Sequence, residues 1–511
     1  MTHVSPTDTG GIHAPRAGAR GWFALVVLML PVLLVSVDNT VLSFALPEIA
    51  LALAPSGAEQ LWIIDAYPLV LAGLLVTMGT LGDRFGRRRM LLIGATGFAA
   101  VSALAAFAPT AGLLIAARVM LGFFGAMLMP STLSLLRSIF QNRDQRRMAI
   151  AVWASAFSAG SALGPIVGGF LLEHFAWGSV FLIAVPVLIP LLIAAPLLVP
   201  ESRDPAPGRI DPISIVLSMA AMIPFVYAIK SFAVDGPTIA GSAWALLGVV
   251  MGALFVRRQL RASNPMLDMA LFRRGSFSGA ILVNLLSVVA LVGFLYFVPQ
   301  HLQLVLGMSP MMAGLALVPG MIAVIVAGLT VVPISRRVAP SIVVPAALAF
   351  SVIGYLLVAF TTEGHGALPL ILAFVVLGIG IGAAETISNE LILSSAPASK
   401  AGAASAVSET AYELGAVLGT AVLGGIITAI YRGALVIPAG IPSDAGDAAR
   451  ETLAGAYTAA HDLAEPMGSA LWTAAASAFE SGVTLTALIG AVLVVIAGVI
   501  AAVTLRAPRV R

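Results

Sequence analysis

Long apolar runs alternate with short polar breaks along the whole chain. The runs fall at about 22–48, 60–80, 89–108, 112–136, 147–172, 178–199, 212–232, 239–256, 277–304, 311–333, 339–361, 368–393, 402–431 and 482–506. A helix needs roughly 20 apolar residues to cross a bilayer. The pattern therefore predicts an all-α membrane protein with 14 transmembrane helices. Met1 to Arg20 is polar, and the run after it is too long for a signal-peptide core, so we read that run as a retained helix. An even number of spans puts both termini on one side. With the N-terminus in the cytoplasm, every Lys and Arg except Arg118, Lys230, Arg432 and Arg450 falls on the inner side. That bias sets orientation in membrane proteins, so N- and C-termini are expected in the cytoplasm.

The runs also repeat. "GSALGPIVGG" (Gly160–Gly169) in the fifth span returns as "GAVLGTAVLGG" (Gly415–Gly425) in the thirteenth. "LGFFGAM" (Leu121–Met127) in the fourth is echoed by "GIGIGAA" (Gly378–Ala384) in the twelfth. These echoes predict two six-helix bundles, spans 1–6 and 9–14, with two helices inserted between them. The expected division is a cytoplasmic tail at 1–20, an N-terminal bundle at 21–200, a linker with inserted helices 7 and 8 at 201–262, and a C-terminal bundle at 263–511. Parallel halves facing one another are a transporter architecture, with the substrate site between them near midplane. The C-terminal bundle carries a long external loop at 432–481. Its Ala-rich stretches "DAGDAARETLAGAYTAAHDL" and "SALWTAAASAF" suggest two short helices. Asp444, Asp447, Glu451, Asp462, Glu465 and Glu480 outnumber Arg432 and Arg450 there. The loop reads as a solvated connector or as an external lid or cation collector.

Composition narrows the function. The chain is 59% hydrophobic and 10% charged, against about 25% charged in soluble proteins. The net charge is only +3, and the basic residues sit in short loops. The bilayer, not nucleic acid, is the expected partner. No cysteine is present, which excludes disulfides and thiolate metal sites. His3, His13, His174, His301, His365 and His461 are scattered and form no metal-ligand cluster, so a membrane-bound metalloenzyme is disfavoured. No Gly-x-x-x-x-Gly-Lys-Ser/Thr loop is present to bind ATP. A channel is disfavoured by the two-half repeat.

Within this apolar background the charged positions stand out. Asp38 lies in "VSVDNTVLSFALP", roughly 27 Å along the first helix from Arg20, at a depth where a carboxylate costs about 2.5–3.5 kcal/mol or more. Asp65 lies near the outer mouth of the second span, between Trp62 and Tyr67. Glu409 and Glu413 lie four apart on one face of the thirteenth span, with Glu413 near midplane. Glu385 and Asn389 share a face of the twelfth span, closer to the inside, and Glu390 is interfacial. No lysine is evident to neutralise Asp38 or Glu413. Arg118 in the fourth span needs a carboxylate or carbonyl partner, as a structural pair or as part of a proton path. A carboxylate in a low dielectric can hold a proton or a lipophilic cation, and competition between the two is antiport.

Two further motifs are ordered. "GTLGDRFGRRRM" (Gly79–Met90) ends the second span. Gly79 permits close helix contact, Asp83 can cap a helix or pair with an arginine, and Gly86 suits a tight turn, while Arg84 and Arg87 anchor the loop inside. In "GSALGPIVGG", Gly160, Gly164 and Gly168 share a helix face, Pro165 invites a kink, and Gly169 follows. Ordinary close helix packing accounts for these glycines physically.

The order Gly-x-x-Gly-Asp-Arg-x-Gly-Arg resembles the signature loop of the major facilitator superfamily, where it acts as a cytoplasmic latch between the halves. The glycine–proline segment resembles the antiporter motif of drug exporters in that superfamily. Together with "VDNTVLSFALP", "LWIIDAYPLVLAGLLVTMGTLGDRFGRRR" and "AGAASAVSETAYELGAVLGT", these segments are similar to the 14-span drug:proton antiporters over essentially the whole chain. The resemblance implies export of lipophilic cationic drugs, dyes, quaternary ammonium compounds and fluoroquinolones from the bacterial cytoplasmic (inner) membrane. It implies alternating access driven by the proton gradient, without a cofactor, in a monomer. It places Asp38, Thr40, Asp65, Arg118 and Glu413 in the coupling and substrate machinery. The tenth span lacks the acidic residue that some of these pumps carry, which removes the basis for carrying over dicationic substrates. An exporter of an endogenous lipid or metabolite would share the same fold.

Overall fold

The computed structural model describes residues 16–204, 211–262, 265, 267, 269–361, 366–395 and 401–505. The tail to residue 15, linker positions 205–210, His365, Lys400, Arg506, Arg509 and Arg511 lie outside the described residues. The described residues contain 14 helices long and apolar enough to cross a membrane. Spans 1 to 6 are Ala19–Leu53, Gly57–Phe85, Arg87–Ala105, Ala111–Ile139, Asp144–His174 and Ser179–Leu198. Spans 7 and 8 are Pro212–Phe232 and Ile239–Arg261. Spans 9 to 14 are Gly275–Val305, Pro310–Ser335, Pro340–Phe360, Leu368–Ser395, Ala404–Ala434 and Met467–Thr504. Because the count is even, Ala19 and Thr504 share one face, here called the terminal face; the opposite face is the distal one.

The short polar breaks start the helices. Ser56 and Glu59 form a reciprocal capping box at span 2, with Glu59 N donating to Ser56 Oγ at 3.3 Å and Ser56 N to Glu59 Oε2 at 2.9 Å. Asn142 caps span 5, and Thr238 caps span 8. Asp211, ahead of Pro212, accepts from Ser214 N. Arg258 of span 8 reaches back to Asp211, with Nη2 2.7 Å from Oδ1. These bonds from Arg258 hold the Asp211 carboxyl well below the usual carboxylate range, and they fasten spans 7 and 8 together at the terminal face.

Spans 1–6 pack among themselves, spans 9–14 do the same, and spans 7 and 8 pair with one another, span 7 resting against spans 2 and 13. The repeated glycines set equivalent contacts in the two halves. A Cβ on Gly160 or Gly164 would lie 2.8 Å from Leu33 O or 1.8 Å from Thr40 Oγ1 of span 1. A Cβ on Gly415 or Gly419 would lie 2.9 Å from Leu285 O or 2.8 Å from Val289 O of span 9. Each glycine segment then touches the opposite half. Gly169 abuts Pro310 and Met311 of span 10, and Gly424 abuts Leu61 of span 2. Pro165 has no N–H, so Ser161 O lacks its usual helical donor; Thr40 Oγ1 donates to it at 3.3 Å. At the corresponding place in span 13 the chain takes a π-helical stretch, Gly419–Gly424, another way of breaking the regular ladder. A second such stretch, His301–Val305, ends span 9. The apolar pattern carries no sign of either.

The distal loop differs from its expected form. "DAGDAARETLAGAYTAAHDL" divides into two helices, Ser443–Glu451 and Leu453–Asp462. "SALWTAAASAF" is no separate helix but the first turns of span 14, which runs for 38 residues. That is roughly 57 Å at 1.5 Å per residue, far beyond the roughly 30 Å apolar core of a bilayer. Pro466 stands just before the helix, no proline follows before Thr504, and Leu471, Ala475 and Phe479 are buried. Nothing in this stretch stops the helix.

The span 1–span 5 contact yields a stability prediction. Gly164→Ala forces Thr40 to move and is expected to cost about 1–3 kcal/mol by overpacking. Gly112→Ala, which meets nothing within 4 Å, serves as the control. Thermal unfolding of the purified protein in detergent checks this: the first variant melts lower than wild type and the second does not.

Candidate functional site

Between the halves lies a cavity of about 550 Å³. Its deep wall includes Asn39, Thr40, Asp65 and Arg118, and its terminal-side wall includes Ser155, Leu329, Val332 and Glu385. Most of the surface is aliphatic, with Phe157 and Tyr412 edge-to-face at 5.9 Å. Toward the distal face the halves close on one another. A Cβ on Gly314 would sit 2.3 Å from Pro165 O. Gln303 Nε2 donates to Phe44 O at 3.1 Å, and Met311 N donates to Glu173 Oε2 at 3.2 Å. A Cβ on Gly57 would touch Thr428 and Glu451. The helix Leu453–Asp462 packs on span 1, on span 14 and on the π-helical end of span 9. Access from the distal side is therefore shut.

The buried carboxylates of the N-terminal half are each met by a protein cation. Arg118 Nη1 lies 2.7 Å from Asp38 Oδ2, with both side chains buried. Arg118 Nε donates to Ile63 O at 3.1 Å, and the guanidinium lies 4.6 Å from the Tyr67 ring centroid. Asp38 thus has a cationic neighbour from span 4. Asp65 is fully buried, not at an outer mouth: span 2 begins at Gly57, so the carboxylate sits roughly 12 Å along the helix. Its Oδ2 lies 2.9 Å from Nζ of Lys230, a residue of span 7. The lysine serves Asp65 rather than Asp38 or Glu413, and it is delivered by an inserted helix.

The C-terminal half does the opposite. Glu413 is buried, and its Oε2 has no hydrogen-bond partner among the described residues. Glu409 is half-buried one turn away on the same helix, and Asp38 and Arg118 are within electrostatic reach of Glu413. Glu385 Oε1 is likewise buried and unpartnered at the cavity wall. Asn389 lies one turn further toward the terminal face, bonded to Ser408 Oγ at 2.5 Å, and Glu390 is exposed. No ion pair to Glu385, Glu409 or Glu413 is formed among the described residues.

The signature loop sits at the terminal face, away from the cavity. Gly79 is in van der Waals range of Pro130. Asp83 pairs with Arg87 of its own turn at 2.8 Å. Gly86 has φ +116°, and a Cβ there would also strike the Glu201 carboxylate, so glycine is required twice over. Glu201, rather than Asp83, caps span 3, accepting from Arg88 N at 3.0 Å and Arg89 N at 3.2 Å. Arg87 N donates to Ser202 O, and Arg88 Nη1 to Val199 O. The loop is thus fastened to the end of span 6 within its own half, and no hydrogen bond or ion pair from it to the other half occurs among the described residues. Arg84 is exposed beside Phe85.

The Major Facilitator Superfamily profile matches residues 28–420. The chain belongs to that superfamily. It is 55% identical to the multidrug efflux pump LfrA of Mycolicibacterium smegmatis, over 98% of this chain and 100% of that protein. It is 37% identical to the methyl viologen resistance protein SmvA of Salmonella typhimurium, over 90% of this chain and 93% of that one. The fold matches an inward-facing crystal structure of a bacterial homolog of the human lysosomal transporter Spinster, with a TM-score of 0.66 at 17% identity, over 96% of this chain and 100% of the other. This superfamily member is a homologue of multidrug efflux pumps, a transporter rather than an enzyme.

Sequence reasoning missed Lys230 as a partner and passed over Asn39, Phe157 and Tyr412 on the cavity wall. The signal for Lys230 was available: a single lysine in an otherwise apolar span needs a buried anion. Tyr412 gave a weaker one, standing beside Glu413 in the same helix.

The Asp38–Arg118 pair gives a test that separates folding from function. Arg118→Met strands a buried carboxylate and is expected to cost about 3–5 kcal/mol. Pairing it with Asp38→Asn removes the stranded charge and restores most of the melting temperature. Dye export should stay lost in the double variant; recovery of export with stability would make the pair purely structural.

Proposed function

We propose that this chain exports lipophilic cations across the bacterial cytoplasmic membrane in exchange for protons. The observation that carries the reading is the cavity, apolar over most of its surface yet flanked by Glu385, Glu409 and Glu413, to which no ion pair is formed among the described residues. The terminal face, with its arginine-rich loops, is taken as cytoplasmic on the positive-inside bias. A cation then enters from the cytoplasm or inner leaflet, since the distal end is shut. Aliphatic side chains and the faces of Phe157 and Tyr412 take up its apolar and aromatic parts. Glu385, Glu409 and Glu413 supply the countercharge, and Asp38 and Arg118 form the deep end.

Coupling follows from exclusion. A carboxylate at this depth needs a counterion or a proton. Bound cation satisfies Glu413 in one state and a proton satisfies it in the other, so neither is dispensable to the cycle. Arg118, which keeps its proton, holds Asp38 beside this site and biases the balance between the two ligands. Substrates of this kind are dyes, quaternary ammonium compounds and amine drugs such as fluoroquinolones. All spans and the whole cavity lie in one chain, which supports a working monomer.

The test uses inverted membrane vesicles, in which the cytoplasmic face points outward and export is read as accumulation. Energised vesicles with the wild-type chain should accumulate ethidium, and a protonophore should discharge it. Glu413→Gln should insert normally and bind dye, but accumulate none. Accumulation that ignores the protonophore would remove the proton from the mechanism, and accumulation that survives Glu413→Gln would remove Glu413 from the coupling.

A further inference from the structure

Lys230 is a fully buried cation on a helix that the two six-helix bundles do not need for their own closure. Its Nζ is 2.9 Å from Asp65 Oδ2, 3.0 Å from Leu61 O and 3.8 Å from the Trp62 ring centroid. All three anchors belong to span 2. Elsewhere on span 7, Val226, Met222 and Ile229 join Val417 and Ala421 of span 13 in an apolar cluster with Leu69 and Trp62 of span 2. The ammonium thus fixes span 7 to the N-terminal half and leaves a greasy face against the C-terminal half. Asp65 belongs to the cavity lining, with its carboxylate buried, whereas Lys230 does not, so the ammonium meets the carboxylate from outside that lining.

We propose that Lys230 sets the charge selectivity of the cavity, cancelling Asp65 from behind and so reserving the site for cations of single charge. This rests on the export of lipophilic cations argued above and names which of them the cavity takes. The argument is one of charge counting. A fixed charge in the wall contributes an energy proportional to the charge of the ligand. Exposing Asp65 by removing the ammonium therefore tightens a monocation by some factor and a dication by about the square of that factor. Deep burial keeps salt from screening the effect. A pair that serves only to fasten span 7 behaves differently: losing either member loosens the fold and affects both ligands alike.

Ethidium and propidium make a matched probe, since they share one ring system and differ by a single positive charge. Equilibrium binding of each to the purified full-length protein is measured by fluorescence across a pH series running to alkaline pH, where an unpaired Asp65 gives up its proton, for wild type, Lys230→Met, Asp65→Asn and the double variant; the shifts below are those at the alkaline end. Lys230→Met should tighten ethidium roughly tenfold and propidium roughly a hundredfold, for a charge several ångströms from the ligand in a medium of intermediate dielectric. Asp65→Asn should weaken both with the same squared relation. The double variant, which buries a neutral pair and is expected to fold, should return to the wild-type ratio. Equal shifts for both dyes, weakening of both by Lys230→Met, or a double variant that keeps either single variant's ratio would overturn the proposal. If Lys230→Met fails to fold, Asp65→Asn and the double variant carry the same comparison. Wild-type protein that binds neither dye would instead overturn the cation-export reading itself.

Discussion

A carboxylate held among membrane helices must be matched by a cation, a proton or a set of donors, and this requirement organises the molecule. The two halves answer it differently. The N-terminal half brings Arg118 to Asp38 and borrows Lys230 for Asp65. The C-terminal half leaves Glu385 and Glu413 with buried oxygens that find no partner among the described residues. A buried ion pair adds little net stability over an apolar pair of the same shape. Its value lies in fixing which charges are spoken for, so that the remaining demand for positive charge is concentrated on one side of the cavity.

The helix contacts permit the halves to move without disturbing that arrangement. The seams between them are made of closely approached glycines: Gly169 on the Met311 backbone, Gly314 on Pro165 O, and Gly424 on the Leu61 side chain. Such contacts rest on close packing, with few side-chain bonds to break. The stronger polar ties run within a half, as in the Asp83–Arg87 turn and the Glu201 cap on span 3. Rigid halves with slippery seams are what rocking about a central site requires. Pro165 and the π-helical stretch Gly419–Gly424 mark the corresponding places where each crossing helix departs from regular geometry.

Much of the architecture is legible in the sequence because a bilayer leaves few options. Apolar length alone yields the 14 spans, and the glycine echo between Gly160–Gly169 and Gly415–Gly425 yields the two halves. The signature loop is legible as a turn, since Gly86 must take a positive φ, but its partner is not: Glu201 lies across the bundle in sequence and looks like any interfacial carboxylate. Depth along a helix, the measure used for Asp38 and Glu413, says nothing about neighbours on other helices. That is why the Arg118 and Lys230 pairings needed three dimensions, and why Asp65 looked like a mouth residue. Hydropathy misplaced the start of span 14 for a related reason, because the Ala-rich stretch from Met467 is helical without being strongly apolar.

The distal loop shows how the same carboxylates can serve structure rather than attraction. Its sequence invites reading as a negative surface for cations. Yet Glu451 pairs with Arg432 at 3.0 Å, Glu465 accepts from Ser469 Oγ at 2.6 Å, and Tyr431 Oη donates to Ala449 O at 2.6 Å. These contacts pin the short helices Ser443–Glu451 and Leu453–Asp462 onto the bundle. The second of them touches span 1 of one half and spans 9 and 14 of the other. The distal seam therefore cannot widen while that helix keeps both sets of contacts. Opening toward the distal side must carry it away with one half; the adjoining helix Ser443–Glu451 is tied to Tyr431 and Arg432 of span 13, which assigns the pair of short helices to the C-terminal one.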